Sequence, residues 1–364
     1  MPARYGGFET AVEEVGRRLV DRGHSVTIYC RHSADPQPTY RGMRLVHLPA
    51  LRVKSAETLS HTALSMLHAV RTKPRFDAAI VMNAANSPFL PLARASGLPV
   101  ALHMDGLEWK RGKWGRVGRR YYRAAESLGA RWADTLIADA RGIQDYYLAQ
   151  HGVDSEFIPY GAPLVVRREE RLAELGLHSR RYHLLVARFE PENSVELLVR
   201  GYIGSRATHP LIVVGSAPYS ATYTGMIESL AAEDDRVRLL GSVWDQELLD
   251  SLYANAATYV HGHTVGGTNP SLLRAMGAGT PVLAIDVVFT REVLGDTGRF
   301  FETPAELARM LEESEASADE EHERGERGRR RAAALYDWDQ VAADYERLCR
   351  QLSTGHRRHR RQPG

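Results

Sequence analysis

A parallel, doubly wound α/β architecture, built twice in tandem, is what this sequence predicts. Three observations predict it. Short apolar segments alternate with stretches of helical periodicity along most of the chain. Gly6-Gly7 leads straight into a helix, the kind of Gly-rich turn that such sheets place after a strand. The same order of elements then begins afresh after "FIPYGAP", Phe157 to Pro163. At 364 residues the chain is long for one core and suits two domains.

In the first domain Phe8, Ala11, Val12, Val15, Leu19 and Val20 recur at helical spacing. Gly23 suits the end of that helix, and Val26 to Cys30 reads as a short buried strand. Further strands are expected at Leu45 to Leu48, Ala78 to Met82, Val100 to Met104 and Thr135 to Ala138. The charged stretch from Pro163 to Arg181 has no clear strand and marks the boundary. Beyond it, strands are expected at His183 to Ala187, Leu211 to Gly215, Val237 to Leu240, Ala257 to His261 and Val282 to Ile285. Helices over 303–352 follow, and the last puts Val341, Tyr345, Leu348 and Leu352 on one face. The tail "GHRRHRRQPG" has no apolar residue and is expected to be disordered. The expected divisions are therefore 1–162, 163–336, a helix over 337–352 returning to the first domain, and the tail 353–364.

The strand ahead of the first Gly-rich turn is central in a doubly wound sheet. Only five residues precede Gly6, so two strands are expected to lose a row of hydrogen-bond partners. We therefore expect the natural sequence to start earlier, either its start codon having been assigned too late, the reading we favour, or the gene being truncated.

A net charge of +2 sets up no global field of the kind that marks a nucleic-acid binder. Cys30 and Cys349 are too few for a disulfide framework, which points to a reducing cytoplasm. No apolar run approaches the roughly 20 residues that cross a bilayer, and no cleavable leader precedes the first helix. A cytoplasmic protein is expected, with room for contact at the inner face of the cell membrane.

Three stretches carry chemistry. In "HGHTVGGTNPSLLRAMGAGTPVLA", Asn269 is a favoured N-cap and Pro270 suits the first helical position. Gly266-Gly267 would let a ligand reach the backbone, and the exposed N–H groups and dipole of such a helix bind phosphate. A well-capped crossover helix explains the same residues equally well. In "HLLVARFEPENSVELL", Arg188 lies just beyond a strand, where it can clamp a diphosphate or pair with Glu190 or Glu192. "LHMDGLEWKRGKW" sets His103 and Asp105 at another strand end, and Gly6-Gly7 at a helix start is a second anion candidate.

These segments carry a resemblance. "PARYGGFET", "DGLEWKR", "ARFEPEN" and "HGHTVGGTNPSLL", in that order, resemble retaining glycosyltransferases of family 4, and within it a bacterial rhamnosyltransferase-like branch that serves cell-surface polysaccharide assembly. The similarity runs from Pro2 to about Leu352. It implies the GT-B fold, two Rossmann-like domains facing a cleft, with a nucleotide-diphosphate-sugar donor held mainly by the second. It implies transfer of a sugar, rhamnose among the candidates, to a lipid-linked or polysaccharide acceptor by front-face attack, with no cofactor and no metal. A nucleotide-sugar epimerase of the same fold and a non-catalytic nucleotide-sugar-binding relative are the alternatives.

By the same resemblance Arg188 and His103 are catalytic. Gly7, Arg188, Asn193, Gly266, Gly267, Thr268, Asn269 and Arg274 are expected at the donor, and Gly6, Gly7, Asp105 and Glu108 on the acceptor side. Asn193 stands where the family usually has a lysine, and Arg274 where it commonly has a glutamate that contacts the nucleotide ribose. Arginine only donates hydrogen bonds, and in the first turns of a helix it opposes the dipole. Arg274 therefore reads either as a phosphate grip or as a mark of impaired activity. His261 and His263 look like a ligand pair, but no carboxylate lies close in sequence.

Between Lys110 and Arg123 stand seven basic residues and no acidic one: Lys110, Arg111, Lys113, Arg116, Arg119, Arg120 and Arg123. With Trp109 and Trp114 beside them they read as a contact for anionic lipid or a lipid-diphosphate acceptor. A solvated helix face is the plain alternative, and no nucleic-acid-binding module surrounds the run.

Overall fold

The computed structural model describes residues 7–32, 36–51, 56–104, 106–112, 114–216 and 221–355. The chain divides into two compact units, Met1–Tyr160 with Trp338–Gly364, and Gly161–Asp337.

Unit 1 opens with α1 (Gly7–Asp21), followed by β1 (Thr27–Arg31), β2 (Thr39–Tyr40) and β3 (Met43–Leu48). Next come α2 (Glu57–Arg71), β4 (Ala79–Met82), α3 (Leu90–Ser96), β5 (Val100–Met104) and α4 (Arg116–Trp132). β6 (Thr135–Ala138), α5 (Arg141–His151) and β7 (Glu156–Phe157) complete its first run. These strands form two sheets where one was expected. β1 and β3 pair in parallel with the two-residue β2 antiparallel at the edge, while β4-β5-β6-β7 form a separate parallel sheet. Among the described residues nothing pairs between β1 and β4, the position the central strand of a doubly wound sheet would take.

Unit 2 contains β8 (His183–Val186), α6 (Val195–Ile203), β9 (Leu211–Val214), α7 (Ala221–Ala231), β10 (Val237–Gly241) and α8 (Gln246–Asn255). It continues with β11 (Thr258–His261), α9 (Pro270–Gly277), β12 (Val282–Ile285), α10 (Val288–Leu294) and β13 (Gly298–Phe301), then α11 (Pro304–Ala316) and α12 (Ala318–Leu335). Its six strands are all parallel, in the order β10-β9-β8-β11-β12-β13. That is the doubly wound order with its reversal between β8 and β11. β8, β9 and β12 are rich in Val, Ile and Leu, as strands of a parallel sheet buried on both faces are. Leu185, Val213, Val260 and Leu283 are buried from the sheet, and Val199, Tyr202, Leu307 and Leu311 from the helices. Sequence reading missed β13, whose "GRFF" begins with a glycine and an arginine on the sheet edge.

The last helix, α13 (Trp338–Ser353), belongs to unit 1. Val341, Tyr345, Leu348 and Leu352 are buried on one stripe, as their spacing predicts. Arg18 of α1 meets Asp339 at 2.6 Å, and Arg22 and His24 meet Glu346 at 3.2 and 2.9 Å. Such exposed pairs contribute little each, so the apolar stripe is the stronger tie. The end of the tail, residues 356–364, lies outside the described residues.

Truncating that stripe tests the attachment. Leu348→Ala should destabilise unit 1 by about 2–5 kcal/mol, lowering its calorimetric midpoint by several degrees while the transition of unit 2 holds. A scan superimposable on the wild type would show that α13 does not support unit 1.

Candidate functional site

In unit 2 the reversal between β8 and β11 places two loops side by side at the carboxyl ends of neighbouring strands, where ligands of open α/β sheets bind. The first holds Arg188, two residues past β8, and turns through Pro191–Asn193. Arg188 is 42% exposed in its side chain, with Nη2 3.5 Å from Oε2 of Glu190, so the guanidinium stays largely available. Asn193 is buried, and its Nδ2 donates to the carbonyl of Arg188 at 2.8 Å. It therefore fixes the backbone of Arg188.

The second loop runs from Gly262 to Asn269. A Cβ at 262 would lie 2.6 Å from the carbonyl oxygen of Asn193, closer than real Cβ contacts come, so only glycine allows the two loops to meet. Thr264 locks them, donating from N and Oγ1 to the carbonyl of Glu192 at 2.9 and 3.0 Å. Gly266 has φ +143° with open space around the missing Cβ, a backbone that side-chain residues rarely adopt. Gly267 follows it, Thr268 is buried, and Oδ1 of Asn269 accepts from the backbone N–H of Ser271 at 2.9 Å and from its hydroxyl at 2.7 Å. Pro270 is the first residue of α9, as its sequence predicts. The buried Tyr259 hydroxyl donates to Ser271 Oγ at 3.0 Å and to the carbonyl of Val186 at 3.2 Å, tying the start of α9 to the end of β8.

Glu192 sits in this platform with its side chain buried, and neither carboxylate oxygen has a hydrogen-bond partner among the described residues. Sequence reading treated it only as a partner for Arg188. Its position in a turn beyond a strand, between a proline and an asparagine, was the available signal.

The place of Arg274 in its helix is a correction. The helix ends at Gly277, so Arg274 lies in its last turn, where a cation suits the dipole, and not in its first. Its Nη1 is engaged by Oδ1 of Asp250 on α8, and the side chain is largely buried. In this structure it braces α8 against α9. His261 and His263 stack at 4.5 Å, with burial pulling His261 down to about 3. Neither belongs to a group of three metal-ligating side chains among the described residues.

In unit 1 His103 lies next to the carboxyl end of β5 and is fully buried. Its ring stacks on Tyr160 at 5.8 Å and meets the edge of Phe8 at 5.7 Å, one residue past Gly7 at the start of α1. Neither ring nitrogen has a hydrogen-bond partner among the described residues, and burial pulls the imidazole down to about 4. It is thus a neutral donor and acceptor with no partner among them. Gly6 and Asp105 lie outside the described residues, as does Lys113 of the basic run.

Glu108, expected on the acceptor side, is buried, with Oε1 2.6 Å from Nε of Arg111, and its Oε2 accepts from Nε1 of Trp114 at 3.3 Å. The same contacts engage Arg111 and Trp114, both expected in the lipid-facing set. Trp114 also packs on Tyr122 at 4.9 Å, and Trp109 lies under the guanidinium of Arg123 at 4.2 Å and the ammonium of Lys110 at 5.5 Å. Arg116, Arg119, Arg120 and Arg123 remain exposed at i, i+3, i+4 and i+7 on α4, with Val117 84% exposed among them.

Residues 6–161 match the family model of the glycosyl transferase 4-like domain, and residues 180–314 match that of glycosyl transferases group 1. The chain is 29% identical over 150 residues to the O-antigen chain mannosyltransferase B of Escherichia coli. That match spans 40% of this chain and 38% of the relative's length. Among solved structures, a sucrose-phosphate synthase from Thermosynechococcus elongatus aligns with a TM-score of 0.82 at 21% identity, covering 96% of this chain and 94% of that one. HepE of Anabaena, determined with UDP and glucose, aligns at 0.78 and 16% identity, covering 96% of both chains. The fold is thereby that of the GT-B glycosyltransferases.

The buried histidine makes a pH prediction. The unfolded chain protonates His103 near 6.5 and the folded chain only near 4. The stability it contributes is therefore complete above about pH 6.5 and is lost as pH falls toward 4, by about 2–3 kcal/mol. Urea unfolding at pH 7 and pH 4.5 should show that loss for unit 1, and His103→Gln should remove most of it. An identical acid loss in His103→Gln would mean that His103 is not held neutral by the fold.

Proposed function

We propose that this chain, with its glycosyl transferase 4-like and group 1 matches, is a glycosyltransferase that moves a sugar from a nucleotide-diphosphate donor onto a lipid-linked or polysaccharide acceptor of the cell surface. The observation that carries the reading is the platform at the β8/β11 reversal, which combines an available Arg188, a glycine-bearing loop, an N-capped helix and, in Glu192, a buried carboxylate with no hydrogen-bond partner among the described residues.

Each part answers one demand of the reaction. The bond that breaks joins the anomeric carbon to the diphosphate, so negative charge grows on the leaving phosphate. Arg188 is the bidentate cation for it, and the N–H groups ahead of α9 add a fixed positive field. Oriented donors of this kind need no reorganisation as the charge develops. Glu192 accepts hydrogen bonds from hydroxyls of the donor, the work that Arg274 cannot perform. In unit 1 neutral His103 offers one N–H and one lone pair to sugar hydroxyls without adding charge near a developing cation. With Glu192 given the hydroxyl-acceptor role, retention proceeds by the front-face attack that the motifs imply. The O-antigen mannosyltransferase relative supports a surface glycan as product, and HepE, solved with UDP-glucose, supports a nucleotide-sugar donor.

Incubation with a panel of nucleotide-sugars, with and without lipid-linked acceptor, tests the reading by nucleoside diphosphate release. Acceptor-dependent release is expected, and Arg188→Ala should lower kcat/KM by roughly a hundred- to a thousandfold. Glu192→Gln should weaken donor binding by roughly ten- to a hundredfold in calorimetry. An isomerised sugar without acceptor would identify an epimerase instead, and donor binding without turnover a non-catalytic relative. Unchanged affinity in Glu192→Gln would remove that residue from the donor site.

The exposed stripe on α4 is proposed to meet the anionic surface that carries a lipid-linked acceptor, each basic residue contributing about 1 kcal/mol there. No helix among the described residues is long and apolar enough to cross a membrane. Sedimentation with anionic vesicles should be strong at low salt and fall steeply as salt is added. The triple variant Arg116→Glu, Arg119→Glu, Arg120→Glu should lose it and keep donor affinity. Wild-type protein that ignores the vesicles at low salt would leave the stripe a solvated helix face.

A further inference from the structure

The geometry points to a second site in unit 2, and we propose that His183, His209 and Glu315 bind a divalent transition cation, zinc by their donor set. His183 opens β8, His209 stands two residues before β9, and Glu315 lies in the last turn of α11. These are the amino ends of the strands, the opposite edge of the sheet from Arg188 and the glycine loop.

The ligand atoms of the three side chains all lie within 4.8 Å of one another. Nε2 of His183 is 3.1 Å from Oε1 of Glu315, and Nδ1 of His209 is 3.8 Å from the same oxygen. A tetrahedral ion with bonds of about 2.0–2.2 Å holds its ligand atoms roughly 3.3–3.6 Å apart. The spacing therefore needs only small side-chain adjustments. Two imidazoles and a carboxylate are a zinc ligand set, with the fourth position left for water.

Two further observations favour a ligand over a plain hydrogen-bond cluster. Nδ1 of His209 is buried and has no hydrogen-bond partner among the described residues, an uncommon state for a buried polar atom. And the other nitrogen of His183, Nδ1, sits 2.7 Å from Oγ1 of Thr258, the outer contact that metal-binding histidines commonly keep. The tautomer balances. Bound to metal through Nε2, His183 carries its proton on Nδ1 and donates it to Thr258, so the imidazole releases none.

The frame is rigid. Glu315 accepts from the backbone N–H of Thr208 and of His209, each at 2.8 Å, and from the Thr208 hydroxyl at 2.8 Å. The Tyr202 hydroxyl donates to the carbonyl of His209 at 2.8 Å, and Arg236 donates to the carbonyls of Ser205 and Ala207. A bound ion would clamp the end of α11 to the amino ends of β8 and β9.

Zinc chloride titrated into the chelator-stripped full chain tests the site. Wild type should bind one equivalent in this site with a micromolar or tighter Kd, and its melting midpoint should rise by roughly 5 °C or more in excess zinc. His209→Asn should weaken that binding at least tenfold and abolish the rise, whereas His263→Asn should keep both. Cobalt on the wild type should give the intense visible bands of tetrahedral coordination, a readout that does not depend on any variant folding. No zinc uptake, equal uptake by His209→Asn, or cobalt bands of the weak octahedral type would each overturn the assignment.

Discussion

Unit 2 depends on the approach of two loops at the reversal of its sheet order. β8 and β11 are neighbours in space and 75 residues apart at their first common pair, Thr258 against His183. Everything beyond their carboxyl ends must share one small area. The contact is closed by backbone: the carbonyl of Asn193 lies where a side chain at 262 would begin, and the carbonyl of Glu192 takes both donors of Thr264. With Gly262 replaced by anything larger, the loops would part and Arg188 would lose its fixed relation to the start of α9. A cation and a helix end 1 Å out of place stabilise a leaving group far less well.

Polar groups left without partners inside such a fold are costly, about 1–3 kcal/mol each for a neutral group and more for a charge. Glu192 and His103 are two of them, and both stand at the carboxyl ends of parallel strands. Most of the other buried polar side chains near the platform are satisfied: Asn193 by the Arg188 carbonyl, Tyr259 by Ser271 and Val186. The contrast within a few residues argues that the exceptions are kept for a molecule that completes them. His209 makes the same argument at the other edge of the sheet.

Much of this was legible because it is local. The alternation of strand and helix, the stripe on α13, the Asn269-Pro270 cap and the position of Arg188 past a strand follow from periodicity and from the chemistry of single residues. What escaped was set by distant partners. Trp109 and Trp114 look like interfacial residues beside basic ones, yet Arg123, Tyr122 and Glu108 absorb them. β13 carries no apolar run of its own and forms because β12 offers an open edge. The split of the unit 1 strands into two sheets was foreshadowed by the turn at Gly6-Gly7, although periodicity alone gave one sheet.

Arg274 shows how a distant partner changes a site's logic. Read along the chain, an arginine in place of a ribose-contacting glutamate suggests decay or a new phosphate grip. In the fold its guanidinium already has a carboxylate, Asp250, and sits near the end of α9 that favours a cation. A glutamate there would face Asp250 across the same gap, two like charges on packed helices, and would repel it. The pair Asp250 and Arg274 is therefore a unit, and neither residue is free to change alone. An acceptor for donor hydroxyls must then come from elsewhere on the platform. Glu192 is a buried carboxylate on the same loop as Arg188, with both oxygens unspent. Under the proposed function, an arginine at 274 moves the acceptor role from α9 to Glu192 in the turn beyond β8, with the phosphate end of the site assigned to Arg188 and the α9 cap.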